Sequence, residues 1–213
     1  MRPVNKPDSL AARGSEGSAG KVADSGETKQ SRGTTRWMIE VVVIVAAAIV
    51  LALLVQQFIV KPYAIPSPSM ENTLLEGDRV LVNRIVYHFH SPRRGDIVVF
   101  QPPASMGSKD PFIKRVIGVG GDTVALRDGY IYVNGVKQVE TYVKEYPIQS
   151  EPFEIKVQVG YLWVMGDNRN NSEDSRVFGQ ISIKRQAPPN IDTGYVIGEA
   201  FARYWPLNRI GGL

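Results

Sequence analysis

The chain has 213 residues, 43% of them hydrophobic and 22% charged, with no cysteine and two histidines. That length holds one domain of ordinary size plus appendages, while the missing cysteines exclude disulfides, thiol nucleophiles and Cys-ligated zinc, and two histidines exclude a three-His metal centre. The net charge of +4 is partly a property of the amino-terminal end, since residues 1–36 hold seven Lys/Arg against four Asp/Glu and residues 61–213 hold 18 against 16, so no nucleic-acid partner is expected.

Residues 1–36 carry no aromatic side chain and are rich in Gly, Ser and charged residues. Such a composition cannot bury enough apolar surface to offset the entropy of ordering, and a disordered tail is expected. From Trp37 to Val60 the composition inverts: Val41 to Val55 is unbroken apolar, and only Glu40, Gln56 and Gln57 interrupt the 24-residue stretch. At about 1.5 Å per residue a helix of that length spans roughly 36 Å, enough for a bilayer core of about 30 Å. A cleaved secretory signal is disfavoured by the 36 residues ahead of it and by Tyr63-Ala-Ile-Pro66 behind it. Lys29, Arg32 and Arg36 precede the helix and only Lys61 closely follows, which places the amino terminus in the cytoplasm and residues 61–213 outside the cell membrane, with the lipid bilayer as a partner.

The outer part reads as strands. Asp78 to Val86, Asp96 to Phe100, Phe112 to Val119, Thr123 to Leu126 and Leu162 to Met165 are short, rich in β-branched residues and bounded by Gly, Pro or Asp. Asn134-Gly135 lies between Tyr130–Val133 and Val136–Val139, a strong hairpin signal. No long helical period intervenes, so a mostly β domain with an antiparallel, barrel-like or folded sheet is expected.

Three segments can carry chemistry. In Tyr63-Ala-Ile-Pro-Ser-Pro-Ser-Met70 the prolines stop the helix and hold the backbone open, with Ser69 where a turn can expose a hydroxyl beside a free N–H. A Pro/Ser linker next to the membrane is the other reading of that stretch. Lys114 lies on one face of a strand with Phe112 and Val116 while Arg115 faces the other way. Desolvation on an apolar face lowers a lysine pKa from about 10.4 and makes a base of it, whereas a lysine at a strand edge snorkels to water. Trp163 to Arg176 is dense in polar residues, but a calcium-loop register from Asp167 puts Arg169 in a ligand position. It is a solvated turn or a site loop. His88 and His90 lack further ligands nearby, so neither a metal site nor a histidine triad is supported.

Taken in order, these segments resemble the type I signal peptidases, membrane-anchored Ser/Lys endopeptidases that remove signal peptides from exported preproteins. The resemblance runs from about Trp37 to Gly211 and rests on the apolar anchor, Pro66-Ser-Pro-Ser-Met70 with Thr73-Leu74, Gly77-Asp78, Gly95 to Phe100, Lys114 to Gly118 with Gly121-Asp122, Gly166-Asp-Asn-Arg169 with Asn171-Ser172 and Asp174-Ser-Arg176, and Arg203-Tyr-Trp-Pro206. It implies Ser69 as the nucleophile, Lys114 as the general base, the Ser69 N–H with the Ser67 hydroxyl as the oxyanion hole, Ser172 orienting Lys114, and Asp174 with Arg176 bracing the site. It also implies that the substrate lies as an extended strand between Tyr63, Ala64, Ile65, Pro66 and Asp110, Pro111, Phe112, Ile113, with small side chains at positions −1 and −3. No metal or other cofactor is implied.

Asn72, Gly120 and Asn170 stand where the family usually has proline, proline and aspartate, and the connector over residues 180–196 is long. Two other functions fit the same residues: a specialised Ser/Lys processing protease, and an inert membrane-tethered β domain that binds extracytoplasmic peptides.

Overall fold

The structure is a computed structural model and describes residues 30–184 and 194–213. The expected tail lies outside the described residues as far as residue 29, and the long connector does so over 185–193.

Helix α1 spans Gln30–Phe58. It begins before the apolar stretch because no proline stops it, and it ends short of Val60 because Pro62 lacks an N–H and holds Lys61 extended. Within it, Arg36–Gln56 is long and apolar enough to cross a membrane, and its large side chains are exposed. Arg36 donates to Glu40 one turn on, at 3.2 Å.

Twelve strands follow among the described residues: β1 (Val60–Ala64), β2 (Arg79–Asn83), β3 (Ile97–Gln101), β4 (Phe112–Val119), β5 (Thr123–Arg127), β6 (Tyr130–Val133), β7 (Val136–Lys137), β8 (Phe153–Lys156), β9 (Tyr161–Met165), β10 (Ile181–Ser182), β11 (Tyr195–Trp205) and β12 (Gly211–Gly212). A short helix, α2 (Ser175–Phe178), follows β9. The larger sheet runs β1-β2-β11-β10-β9-β4-β3, with β12 beside β11. Because β3 also pairs with β11, the strands β11, β10, β9, β4 and β3 close on themselves. All these pairs are antiparallel except β10 with β11. The smaller sheet, β7-β6-β5-β8, is antiparallel throughout.

Side-chain alternation explains the closed arrangement. In β3, Ile97 and Val99 enter one core with Ile65, Met70, Leu74, Val80 and Val82, while Val98 and Phe100 enter another with Val116, Leu162, Val164 and Ile181. A strand buried on both faces needs an unbroken apolar run, which is what Ile-Val-Val-Phe supplies. A third core lies under the smaller sheet, where Val124, Leu126, Ile131 and Val133 meet Trp163 and Met165 of β9. Asn134-Gly135 turns β6 into β7 with positive φ at both residues (51° and 79°), and Asp128-Gly129 turns β5 into β6 in the same way (51° and 76°). Both are the turn geometry that Asn-Gly and Asp-Gly favour.

Candidate active site

Ser67 is extended (φ −141°, ψ 156°), as a residue before proline must be, and Pro68 opens a 3₁₀ turn through Met70. Ser69 is the second residue of that turn, where a backbone N–H has no acceptor within the helix. The turn is held from beneath: Met70 is buried in the first core, Asn168 N donates to Ser69 O at 3.1 Å, and Asn168 Nδ2 donates to Pro68 O at 3.1 Å.

Lys114 comes from β4, 45 positions later, and its Nζ lies 2.9 Å from Ser69 Oγ. Its other hydrogen bond goes to Ile113 O at 3.0 Å, and among the described residues it has no salt-bridge partner. Lys114 is 4% exposed and Ser69 6%. Ile113 belongs to the first core, Phe112 and Val116 pack with the core on the other face of β3, and the Lys114 amine lies 5.5 Å from the centre of the Phe112 ring. Burial lowers its pKa to about 8, against the opposing pull of the carboxylates of Asp174, Glu173 and Asp167. The Ser67 hydroxyl donates to Ser69 Oγ at 3.3 Å.

The loop after β9 carries the next residues. Asp174 caps α2, accepts from Arg176 N at 3.2 Å and from Gly166 N at 3.1 Å, and makes a two-point ion pair with the Arg176 guanidinium, both contacts at 2.8 Å. Arg176 Nη2 also donates to Arg169 O at 2.6 Å. Ser172 lies against Gly166, and its hydroxyl is buried with no hydrogen-bond partner among the described residues. Ser172, expected to orient Lys114, makes no hydrogen bond to it.

A cleft of ≈ 410 Å³ opens over the pair, lined by Pro66 to Ser69, Pro111 to Lys114, and the polar residues Ser108, Asp110, Asn171 and Glu173. It includes five of the eight residues expected to hold substrate: Pro66, Asp110, Pro111, Phe112 and Ile113. The other three lie elsewhere, Ile65 within the first core, Tyr63 packed against it and Ala64 exposed in β1. Two strand edges are open beside this region. Among the described residues β1 pairs only with β2, and β9 joins β4 from Arg115 onward, leaving Phe112 to Lys114 with β3 alone.

Sequence reasoning missed a second layer. Arg115, 9% exposed, is bound by Asp167 at 2.9 and 2.6 Å and donates to Thr73 Oγ1 at 3.2 Å and Gly95 O at 2.9 Å, while Arg203 donates to Thr73 O at 2.9 Å. Arg169, 1% exposed, forms a two-point pair with Glu140 at 2.8 and 2.7 Å. Burial alone would raise the Glu140 pKa, but the hydrogen bonds and charge of Arg169 overcome it and hold the carboxyl below its usual value. An isolated Glu140 in Val-Glu-Thr-Tyr has no sequence signature, whereas the polar density of 167–176 did mark Asn171 and Glu173. His88 and His90 are exposed, each with a ring nitrogen near a carbonyl of its own loop, and neither lines the cleft.

A buried serine hydroxyl touching a desolvated amine beside an open cleft is the constellation of a serine hydrolase. The family described as "Signal peptidase, peptidase S26" matches residues 38–205. The chain belongs to that family. It is 42% identical over 171 residues to "Probable signal peptidase I-1" of Synechocystis sp., covering 78% of this chain and 82% of the relative. It is 40% identical over 174 residues to "Signal peptidase I" of Leptolyngbya laminosa, covering 79% and 80%. With "Signal peptidase IB" of Staphylococcus aureus it shares 35% identity over 190 residues, covering 81% and 92%. The chain is accordingly a serine endopeptidase that cleaves signal peptides, and its apolar helix fits a membrane-anchored enzyme.

Proposed function

We propose that the enzyme cleaves with a Ser69/Lys114 dyad, and the observation that carries this reading is the 2.9 Å contact between Lys114 Nζ and Ser69 Oγ, both residues being buried at the edge of the cleft. The neutral amine takes the Ser69 proton as the oxygen attacks the scissile carbonyl, and the resulting ammonium then protonates the leaving amine. The Ser69 N–H and the Ser67 hydroxyl receive the developing oxyanion; Pro68 has no N–H, so a side-chain hydroxyl is the sensible second donor. Water then attacks the acyl-enzyme with Lys114 again as base. Asp174 and Arg176 brace the 166–176 loop through their ion pair and the Gly166 N–H, and Ser172 packs on Gly166 beside the serine turn.

The preprotein lies extended in the cleft, adding a strand against the open edge at Phe112 to Lys114 and facing Tyr63 to Pro66 across it. Side chains at positions −1 and −3 point into its shallow walls and must be small. Residues 1–36 lie in the cytoplasm, residues 37–60 cross the cell membrane, and residues 61–213 work at its outer surface.

The test is cleavage of an Ala-x-Ala preprotein by detergent-purified enzyme, run beside Ser69→Ala and Lys114→Met and read by product mass. Loss of the cut after the second Ala in both folded variants supports the dyad; wild-type rates in either variant overturn it. Protease added outside intact cells should degrade residues 61–213 and spare the tail, and the reverse pattern would invert the topology.

A further inference from the structure

The segment between β7 and β8 leaves the smaller sheet and touches three separate parts of the site. Its Lys144 N donates to Asp167 O at 3.1 Å, and Lys144 Nζ pairs with Glu71, two residues after Ser69, at 2.6 Å. The ring of its Tyr142 lies 4.0 Å from the guanidinium carbon of Arg115, the neighbour of Lys114. At its start, Glu140 receives four donors: the two Nη groups of Arg169, the Tyr142 hydroxyl at 2.9 Å and the Tyr146 hydroxyl at 2.9 Å. A carboxylate saturated in this way fixes the guanidinium in one orientation, since both ends of a forked pair are specified.

That orientation aims Arg169 Nε at Gly166 O, 2.9 Å away. Gly166 is the tightest point of the site: a Cβ built on it would lie 2.4 Å from Ser69 O and 2.3 Å from Ser172 Oγ. The backbone at Gly166 and at Asn168, which binds Ser69 O, therefore determines where the serine turn sits. A continuous chain of contacts runs from Glu140 through Arg169 to the backbone of the nucleophile. Glu140 itself does not line the cleft.

Resting on the Ser69/Lys114 reading, we infer that Glu140 is a positioning residue for catalysis, acting through Arg169 to set the distance between Ser69 and its base. Neutralising it leaves the cleft and its apolar walls in place but loosens the attack geometry, so the loss falls on kcat. A displacement of about 1 Å at reacting atoms costs roughly 100-fold in rate.

The experiment measures kcat and KM separately for full-length Glu140→Gln on an Ala-x-Ala preprotein, at a temperature where circular dichroism shows wild type and variant equally folded. The expected result is a kcat lowered fivefold or more with KM within twofold of wild type; any other pattern in folded protein overturns the inference. If Glu140→Gln does not fold, the double variant Tyr142→Phe/Tyr146→Phe, which removes two donors and keeps the ion pair, is read by the same split with a threefold threshold on kcat. Ser69→Ala runs alongside, and persistence of cleavage there would defeat the dyad itself, independently of Glu140.

Discussion

Lys114 and Arg115 are neighbours on β4, both buried, and they meet opposite electrostatic fates. Arg115 is held by both oxygens of Asp167 and by Thr73, so its charge is satisfied. Lys114 has a serine hydroxyl and one carbonyl, with no carboxylate in contact among the described residues. Alternation along a strand sends the two cations to opposite faces, and only Arg115 meets a carboxylate in direct contact among the described residues. The same stretch of strand thus provides a permanent cation for bracing and a cation that is readily deprotonated.

The first prediction concerns pH. With the Lys114 pKa lowered to about 8, its neutral fraction falls about tenfold for each pH unit below that value. The rate constant kcat/KM should climb through pH 7 and level off above pH 8. A profile with its maximum at pH 5–6 would contradict a lysine base.

Stability carries the same signature with its own sign. The Lys114 pKa is about 8 folded against 10.5 for an unperturbed lysine, so between these values the unfolded chain binds more protons and stability rises with pH. Below pH 8 both states are protonated and the fold carries a constant penalty of about 3 kcal/mol. Lys114→Met should therefore melt at a higher temperature than wild type at pH 6.5, with the gap closing towards pH 10.5. A gap independent of pH would show that the lysine is not desolvated.

At Gly166 there is no room for a methyl group. Its nearest neighbours would be Ser172 Oγ at 2.3 Å and the Ser69 carbonyl oxygen at 2.4 Å, and the second of these is backbone. Gly166→Ala should lower kcat by about 100-fold or more by displacing the serine turn. Steady-state kinetics on folded variant decides it, and an unchanged kcat would mean that the loop yields freely.

Gly120 is set by crowding of another kind. A Cβ there would meet Val159 Cα at 2.9 Å, Gln158 O at 3.0 Å and Gly160 N at 3.2 Å, all backbone. The family's usual proline therefore does not fit here without movement of the 158–160 segment. Both Gly120→Pro and Gly120→Ala should lose about 1–3 kcal/mol of stability by overpacking. Thermal melts of the two variants test this, and a melting temperature equal to wild type in either would remove the explanation.

What could be read in advance followed local pattern. The strands β3 and β4 announced themselves through contiguous β-branched residues, and the β6–β7 hairpin through Asn134-Gly135. Asp128-Gly129 carries the same turn signal between β5 and β6. β11, the longest strand, was missed because Gly198, Ala200 and Ala202 dilute its β propensity and register shifts at Val196/Gly198, Ala200/Ala202 and Arg203/Trp205 break its alternation. β1 runs from the expected helix end at Val60 into the open stretch at Tyr63-Ala64, and its partner, β2, lies beyond the serine turn. Ser69 and Lys114 could be singled out from their own neighbourhoods, but the distance between them depends on β3, β4, β9 and the 166–176 loop together. Glu140 was illegible for a related reason, since its meaning comes wholly from Arg169.

The double role of β11, paired with β3 along one side and with β10 and then β2 along the other, bears on how the molecule comes into being. Until Tyr195 to Trp205 has been synthesised, β2 is paired with β1 alone and β3 with β4 alone, and the sheet cannot close. Thr73 likewise waits for Arg203, 130 positions later. Contacts so distant along the chain form slowly, because loop closure must precede their reward. On the Ser69/Lys114 reading, a nascent chain that has made both residues is therefore not yet a protease. The closed sheet, and the cleft it carries, form only once β11 is in place.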